Sequence, residues 1–175
     1  MKLKLKKIFC WSPLLGGIGA GVTIAILSYI TFQSTLAGST YGLWLATSFG
    51  SSVVVVFGYP NNEFAQPKNV LFGHLLCALV GIIFVTFFEI SQDRTIFFLA
   101  IGLAVGIAVM LMMALKITHP PAGGNTIVVM LAQDSFQYII FPILVGAVTI
   151  IIGGIIYNRY ILKKKYPLKW FEKNF

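Results

Sequence analysis

The sequence predicts an all-α, polytopic membrane helix bundle of about six segments, two of them glycine-interrupted or broken. Three observations predict it. First, 58% of the residues are hydrophobic and only 10% are charged, with a mean hydropathy of +0.89. A water-soluble domain of this size needs more polar surface than that, so lipid is its natural solvent. Second, the apolar runs approach about 20 residues, the length of a helix that crosses the hydrocarbon core. A transmembrane barrel would show alternating strands of about ten residues instead. Third, the basic residues crowd the two ends. Lys2, Lys4, Lys6 and Lys7 lie before the first run, and Arg159, Lys163, Lys164, Lys165 and Lys169 follow the last.

The formal charge of +8 therefore reads as topology rather than as a nucleic-acid surface. Cytoplasmic flanks collect Lys and Arg, which puts both tails on the cytoplasmic side of a plasma membrane, the bacterial inner membrane in this reading. Lipid is the expected partner, and nucleic acid is not. The chain divides into a basic tail (1–11), a single membrane domain (12–158) and a second basic tail (159–175). Cys10 and Cys77 lack metal-ligand spacing and read as small apolar fillers. The first apolar run is long and has no early small-residue cleavage site, so it reads as a retained span.

The elements follow in order. Pro13–Thr31 is the first span, with Gly16, Gly17, Gly19 and Gly21 allowing close helix contact in lipid. Tyr41–Gly58 is the second run, interrupted by Thr47, Ser48, Gly50, Ser51 and Ser52. A polar loop runs from Tyr59 to Asn69. Val70–Ile90 is the third span, and a charged turn covers Ser91–Arg94. Thr95–Leu115 is the fourth run. HPPAGGN (residues 119–125) leads into the short apolar piece Thr126–Ala132, and Tyr138–Tyr157 is the last span. If the broken stretch Ala114–Ala132 crosses fully, the last lysines return to the inner side, as the positive-inside rule favours. If that stretch only dips, a re-entrant second run would restore the same arrangement. Gly50 and Gly123, Val55 and Val128, Gly73 and Gly146, and Gly81 and Gly154 recur at one constant offset. That suggests a repeat, 12–90 and 91–158, of three segments each. An odd number of crossings would invert the halves, an arrangement found in transporters.

HPPAGGN is the sharpest local feature. Pro120 and Pro121 lack backbone donors and disrupt a helix. Gly123 and Gly124 permit a tight turn or close packing. Asn125 is a credible cap for a helix starting near Thr126. A half-helix starting there would aim unpaired N–H groups at an anion. Ser51 and Ser52, just after Gly50, suggest a second such start, with Ser48 one turn earlier. The expected substrate path is therefore Ser48, Ser51, Ser52, His74, His119, Asn125 and Thr126. His119 carries two readings: a group that gains charge near neutral pH, or a neutral ring bonded to backbone left open by the prolines. His74 is the other ionisable group placed inside a span, where such residues are functional by default. Gln66, Pro67, Lys68 and Asn69 read as caps of the third span or as the inner mouth of a path. With 5 acidic residues in the chain and no P-loop, G-x-S-x-G or H-E-x-x-H motif, the chain is not expected to be an enzyme. No cofactor or metal is expected.

Two blocks carry a family resemblance: SFGSSVVVVFGYPNNEFAQPKNVLFGHLLCALVG (Ser48–Gly81) and HPPAGGNTIVVML (His119–Leu131). The chain resembles the HPP family of integral membrane proteins, named for the His–Pro–Pro motif. The family pattern reads like SFGASAVLLF, then AQPRNV, then GGHLLSALVG. Matched positions include Ser48, Phe49, Gly50, Ser52, Gln66, Pro67, Asn69, Gly73, His74 and Gly81. Lys68 stands where arginine is frequent, Phe72 replaces a glycine, and Gly124 and Asn125 replace the usual alanine and threonine. The resemblance implies four or five spans rather than six. Relatives in chloroplasts and cyanobacteria look like nitrite transporters, so it implies a path for a small inorganic anion, nitrite first. The other reading is a structural or sensory membrane protein without a path. Glycine-rich spans also lead us to expect a homo-oligomer.

Overall fold

A computed structural model describes residues 11–34, 48–87, 94–132 and 136–168. The basic N-terminal tail, the start of the second run, most of the Ser91–Arg94 turn and the end of the C-terminal tail lie outside the described residues. Six helices are present among the described residues. They are α1 (Trp11–Ser34), α2 (Ser48–Gly58), α3 (Pro67–Phe87), α4 (Arg94–Ala114), α5 (Gly123–Ala132) and α6 (Ile139–Ile161). No strand occurs among the described residues.

Length separates the helices into two kinds. Stretches within α1, α3, α4 and α6 are long and apolar enough to cross a membrane. The chain is thus a multi-pass membrane bundle. α5 and the described part of α2 are short. At a rise of about 1.5 Å per residue, ten residues reach only about 15 Å, half a hydrocarbon core. Among the described residues the order is long, short, long, and then the same again. The two short helices fall where the sequence places its two interrupted segments.

α3 sits at the centre. Of its apolar span window 56% is buried inside the protein, against 17% for α1 and for α4. It forms the largest helix–helix interface with α5, and it also packs on α4 and α6. Two glycines permit that approach. A methyl at Gly81 would lie 2.9 Å from the Thr126 carbonyl oxygen, and one at Gly73 would lie 2.9 Å from His119 Cβ. α1 and α6 pair on the other side. The core divides accordingly. One cluster joins Phe49, Val56, Val70, Ile82, Val129, Ile150 and Tyr166. The other joins Val80, Phe84, Ala104, Ala108, Met112 and Met130 between α3, α4 and α5.

Local chemistry explains the breaks. α2 widens into a π-helical end from Val54 to Gly58. There Asn158 Nδ2 of α6 donates to the Val56 carbonyl at 3.0 Å, which satisfies backbone that lipid could not. α4 stops at Ala114, and Lys116 adopts a left-handed φ of 53°. The chain then runs irregularly to Pro120–Ala122, a 3-10 turn that leads directly into α5. Pro67 opens α3 at the position where a missing N–H has no cost.

Candidate functional site

The HPP segment and the SFGSS segment meet inside the bundle. His74 and His119 have no exposed surface, nor has Ser52. Ser52 Oγ lies 2.8 Å from His74 Nε2 and 2.9 Å from His119 Nε2. The two imidazole centroids are 5.0 Å apart. His119 Nδ1 lies 2.8 Å from the Phe64 carbonyl oxygen. Asn125 Nδ2 lies 2.7 Å from His74 Nδ1. Phe49 covers the His74 ring at a centroid distance of 4.6 Å.

Donor and acceptor arithmetic fixes the protons. A carbonyl only accepts, so His119 Nδ1 carries a hydrogen and donates to Phe64. In a neutral ring His119 Nε2 is then bare, and the Ser52 hydroxyl donates to it. A hydroxyl has one hydrogen, so Ser52 must accept from His74 Nε2–H. His74 Nδ1 is then bare and accepts from the Asn125 amide. The result is one directed chain: Asn125 to His74 to Ser52 to His119 to the Phe64 carbonyl. Both histidines are neutral in it, and every link is satisfied. Turning the Asn125 amide over would give Ser52 two bare nitrogens and one hydrogen, leaving one buried acceptor unpaired.

The chain's end is held firmly. Gln66 Nε2 donates to the Pro60 and Asn62 carbonyls, each at 2.9 Å. Its Oε1 accepts from the Leu168 amide at 2.8 Å. Tyr166 donates its hydroxyl to the Ala65 carbonyl at 2.7 Å. Burial pushes the Tyr166 phenol above its ordinary range, so it stays a donor. These ties brace the turn around Phe64. Asn69 Nδ2 donates to the Thr118 carbonyl at 2.9 Å, pinning the approach to His119.

The expected path residues separate into groups. Ser52, His74, His119 and Asn125 come together. Ser48 is 5% exposed, and its carbonyl lies 3.0 Å from Ser52 Oγ. The Ser48 hydroxyl has no hydrogen-bond partner among the described residues, and it faces Gly124, where a methyl would lie 2.9 Å away. Thr126 is buried but donates to the Cys77 carbonyl at 2.9 Å, tying α5 to α3. Ser51 is exposed and outside the cluster.

Three local expectations change. Asn125 is the third residue of α5 rather than its cap, and its side chain serves His74. Ser52 sits a full turn inside the described part of α2 rather than at a helix start. The turn that leads into α5 does not present a row of free N–H groups. Pro120 and Pro121 have none, Ala122 N–H donates to the His119 carbonyl, and Gly123 N–H donates back to the Pro120 and Pro121 carbonyls. From Pro120 to Gly123 no N–H is left free for an anion. Gln66 proves to be a brace of the preceding loop, while Pro67 opens the helix. Sequence reasoning missed Tyr166, Asn158 and the Phe64 carbonyl. AQPKNV was a clue to the first and last, because a glutamine beside a helix start needs partners.

This fold and this buried polar centre define a multi-pass α-helical membrane protein built around a buried histidine pair. Residues 7–167 match the family described as HPP, transmembrane region, and the chain belongs to that family. A transmembrane protein of Dictyostelium discoideum is 32% identical over 164 residues, covering 91% of this chain and 50% of the relative. A second from the same organism is 31% identical over 151 residues, covering 84% of this chain and 52% of the relative. The chain thus spans about half the length of the curated relatives it matches. No solved structure matches.

Proposed function

We propose that this protein carries a small monovalent anion, nitrite by its resemblance, through the polar centre formed by Ser48, Ser52, His74, His119 and Asn125. The observation that carries the reading is the orphaned hydroxyl of Ser48. It is buried beside a cluster whose other members satisfy one another. A buried unpaired hydroxyl costs about 1–3 kcal/mol, and an anion passing Gly124 would relieve it. The buried side chains among the described residues include no Lys, Arg, Asp or Glu, so the site suits weak, brief binding. At the far end of α2 a cleft lined by Gly58–Asn62 also holds Lys164, a basic side chain suited to collecting anions from solution. A bacterial inner-membrane location with cytoplasmic tails and a homo-oligomeric state complete the proposal. Gly17 and Gly21 on α1, and Gly102 and Gly106 on α4, face open space at the four-residue spacing that lets helices of separate copies approach.

A second reading has its own support. Ser52, His74, His119 and Asn125 all hydrogen-bond within the protein, as the members of a purely architectural clamp would. Flux decides between them. Purified protein in liposomes, against empty liposomes, should pass nitrite selectively among nitrite, formate, nitrate and chloride, and His119→Ala should change that flux. Well-folded protein that passes none of the four would favour the clamp.

A further inference from the structure

The directed chain has a second hydrogen-bonding arrangement built into it. Ser52 Oγ has two acceptors in reach: His119 Nε2 at 2.9 Å and the Ser48 carbonyl at 3.0 Å. In the neutral arrangement its hydrogen points to His119. If it turns to Ser48, the Ser52 oxygen faces both histidines with lone pairs alone. His119 Nε2 can then take a proton and donate to Ser52, as His74 Nε2 already does. No buried polar atom of the chain loses its partner in that change. The alternative position for a proton, His74 Nδ1, is blocked by the Asn125 amide hydrogens, which would have to turn away first.

We propose that His119 Nε2 is a one-proton site, opened and closed by rotation of the Ser52 hydroxyl between His119 and the Ser48 carbonyl. Resting on the anion-path reading above, the bound proton supplies the positive charge that the path otherwise lacks. Uptake forms one N–H bond from a solvent-derived proton, and no electrons move. The chain ends at the Phe64 carbonyl, which cannot accept and pass on a proton, so this is a holding site rather than a wire. Two charged imidazoles with centroids 5.0 Å apart repel strongly in a dry interior, which limits the pair to one proton.

The surroundings are otherwise neutral. α2 presents Ser48, Phe49 and Ser52. α5 presents Asn125 and Thr126. α3 contributes His74 and Cys77, with half-buried Lys68 at its start. The turn before α3 holds Glu63, which is exposed, and the C-terminal segment adds the neutral Tyr166. Lys116, in the link from α4, is exposed.

Nitrogen-15 histidine spectroscopy of the full chain in lipid bilayers tests this. The chain has two histidines, so each signal is assignable with one His→Gln variant. At neutral pH His119 should carry its hydrogen on Nδ1 and His74 on Nε2. Acidification should remove only the bare-nitrogen signal of His119, with one proton gained per protein. Asn125→Asp, which offers His74 Nδ1 an acceptor, should move the charge to His74. Reversed tautomers, uptake at His74 in the unaltered protein, charging of both rings, or charging of neither while the fold persists would each overturn the proposal. Nitrite flux is read separately, with and without an inward proton gradient, above the acid leak of empty liposomes. The expected spectra without any flux would support the proton site and overturn the anion reading. Flux with reversed tautomers would do the opposite.

Discussion

Ser52→Ala is the most informative single change, because one atom holds two histidines. Removing Oγ orphans His74 Nε2–H and His119 Nε2, which sit 2.8 and 2.9 Å from it. Both rings have no exposed surface, so water cannot replace the lost partner. Two buried orphans at about 1–3 kcal/mol each give about 2–6 kcal/mol in a water-soluble protein. In a bilayer the unfolded helices also find partners, and single interhelical hydrogen bonds reach about 1.7 kcal/mol at most. Two bonds at that ceiling give about 3 kcal/mol. Ser51→Ala is the control, since Ser51 is exposed and a surface change of this kind stays within about 0.5 kcal/mol. Unfolding in mixed detergent micelles, followed by far-ultraviolet circular dichroism, measures both. A Ser52→Ala loss no larger than that of Ser51→Ala would refute the hydrogen-bond chain as an energetic unit.

Other outcomes follow from the same geometry. Gly73→Ala places a methyl 2.9 Å from His119 Cβ and 3.3 Å from the Ile117 carbonyl oxygen; it should cost about 1–3 kcal/mol by overpacking, read by the same unfolding assay. Tyr166→Phe should lose about 1 kcal/mol with its hydrogen bond to Ala65. Because burial raises the Tyr166 phenol in the folded state, its contribution is fully present below the ordinary tyrosine value of about 10 and is lost as pH rises through the folded value. The alkaline fall in stability should therefore be shallower in Tyr166→Phe. Gly106→Leu fills open space on α4; if the proposed homo-oligomer packs through that face, it should leave the fold intact and lower the detergent-solubilised mass in light scattering.

The sequence made the bundle legible because lipid imposes one rule, that backbone polar groups pair locally. Apolar runs of span length could only be helices, and the glycine-rich interruptions marked the two short ones. The His–Pro–Pro motif located the centre for a related reason: two prolines and a buried ionisable group need a built environment. What stayed hidden was pairing across distance. Nothing near Asn125 says that its amide meets His74 rather than capping α5. Nothing near Ser52 says that two imidazoles share its hydroxyl. The dipole site is narrowed by a detail that the sequence did contain. Pro120 and Pro121 have no N–H groups to offer an anion, and the 3-10 turn uses the next two. The bracing of Phe64 by Gln66 and Tyr166 spans about a hundred residues, beyond any local pattern.

The most direct test of the anion path is nitrite uptake into sealed liposomes by equal amounts of the unaltered protein, Ser48→Ala and Ser51→Ala. The orphaned hydroxyl beside Gly124 predicts uptake above empty liposomes for the unaltered protein, retained by Ser51→Ala and largely lost in Ser48→Ala. Equal uptake by all three would contradict a path through Ser48, and no uptake by any folded form would contradict the path itself.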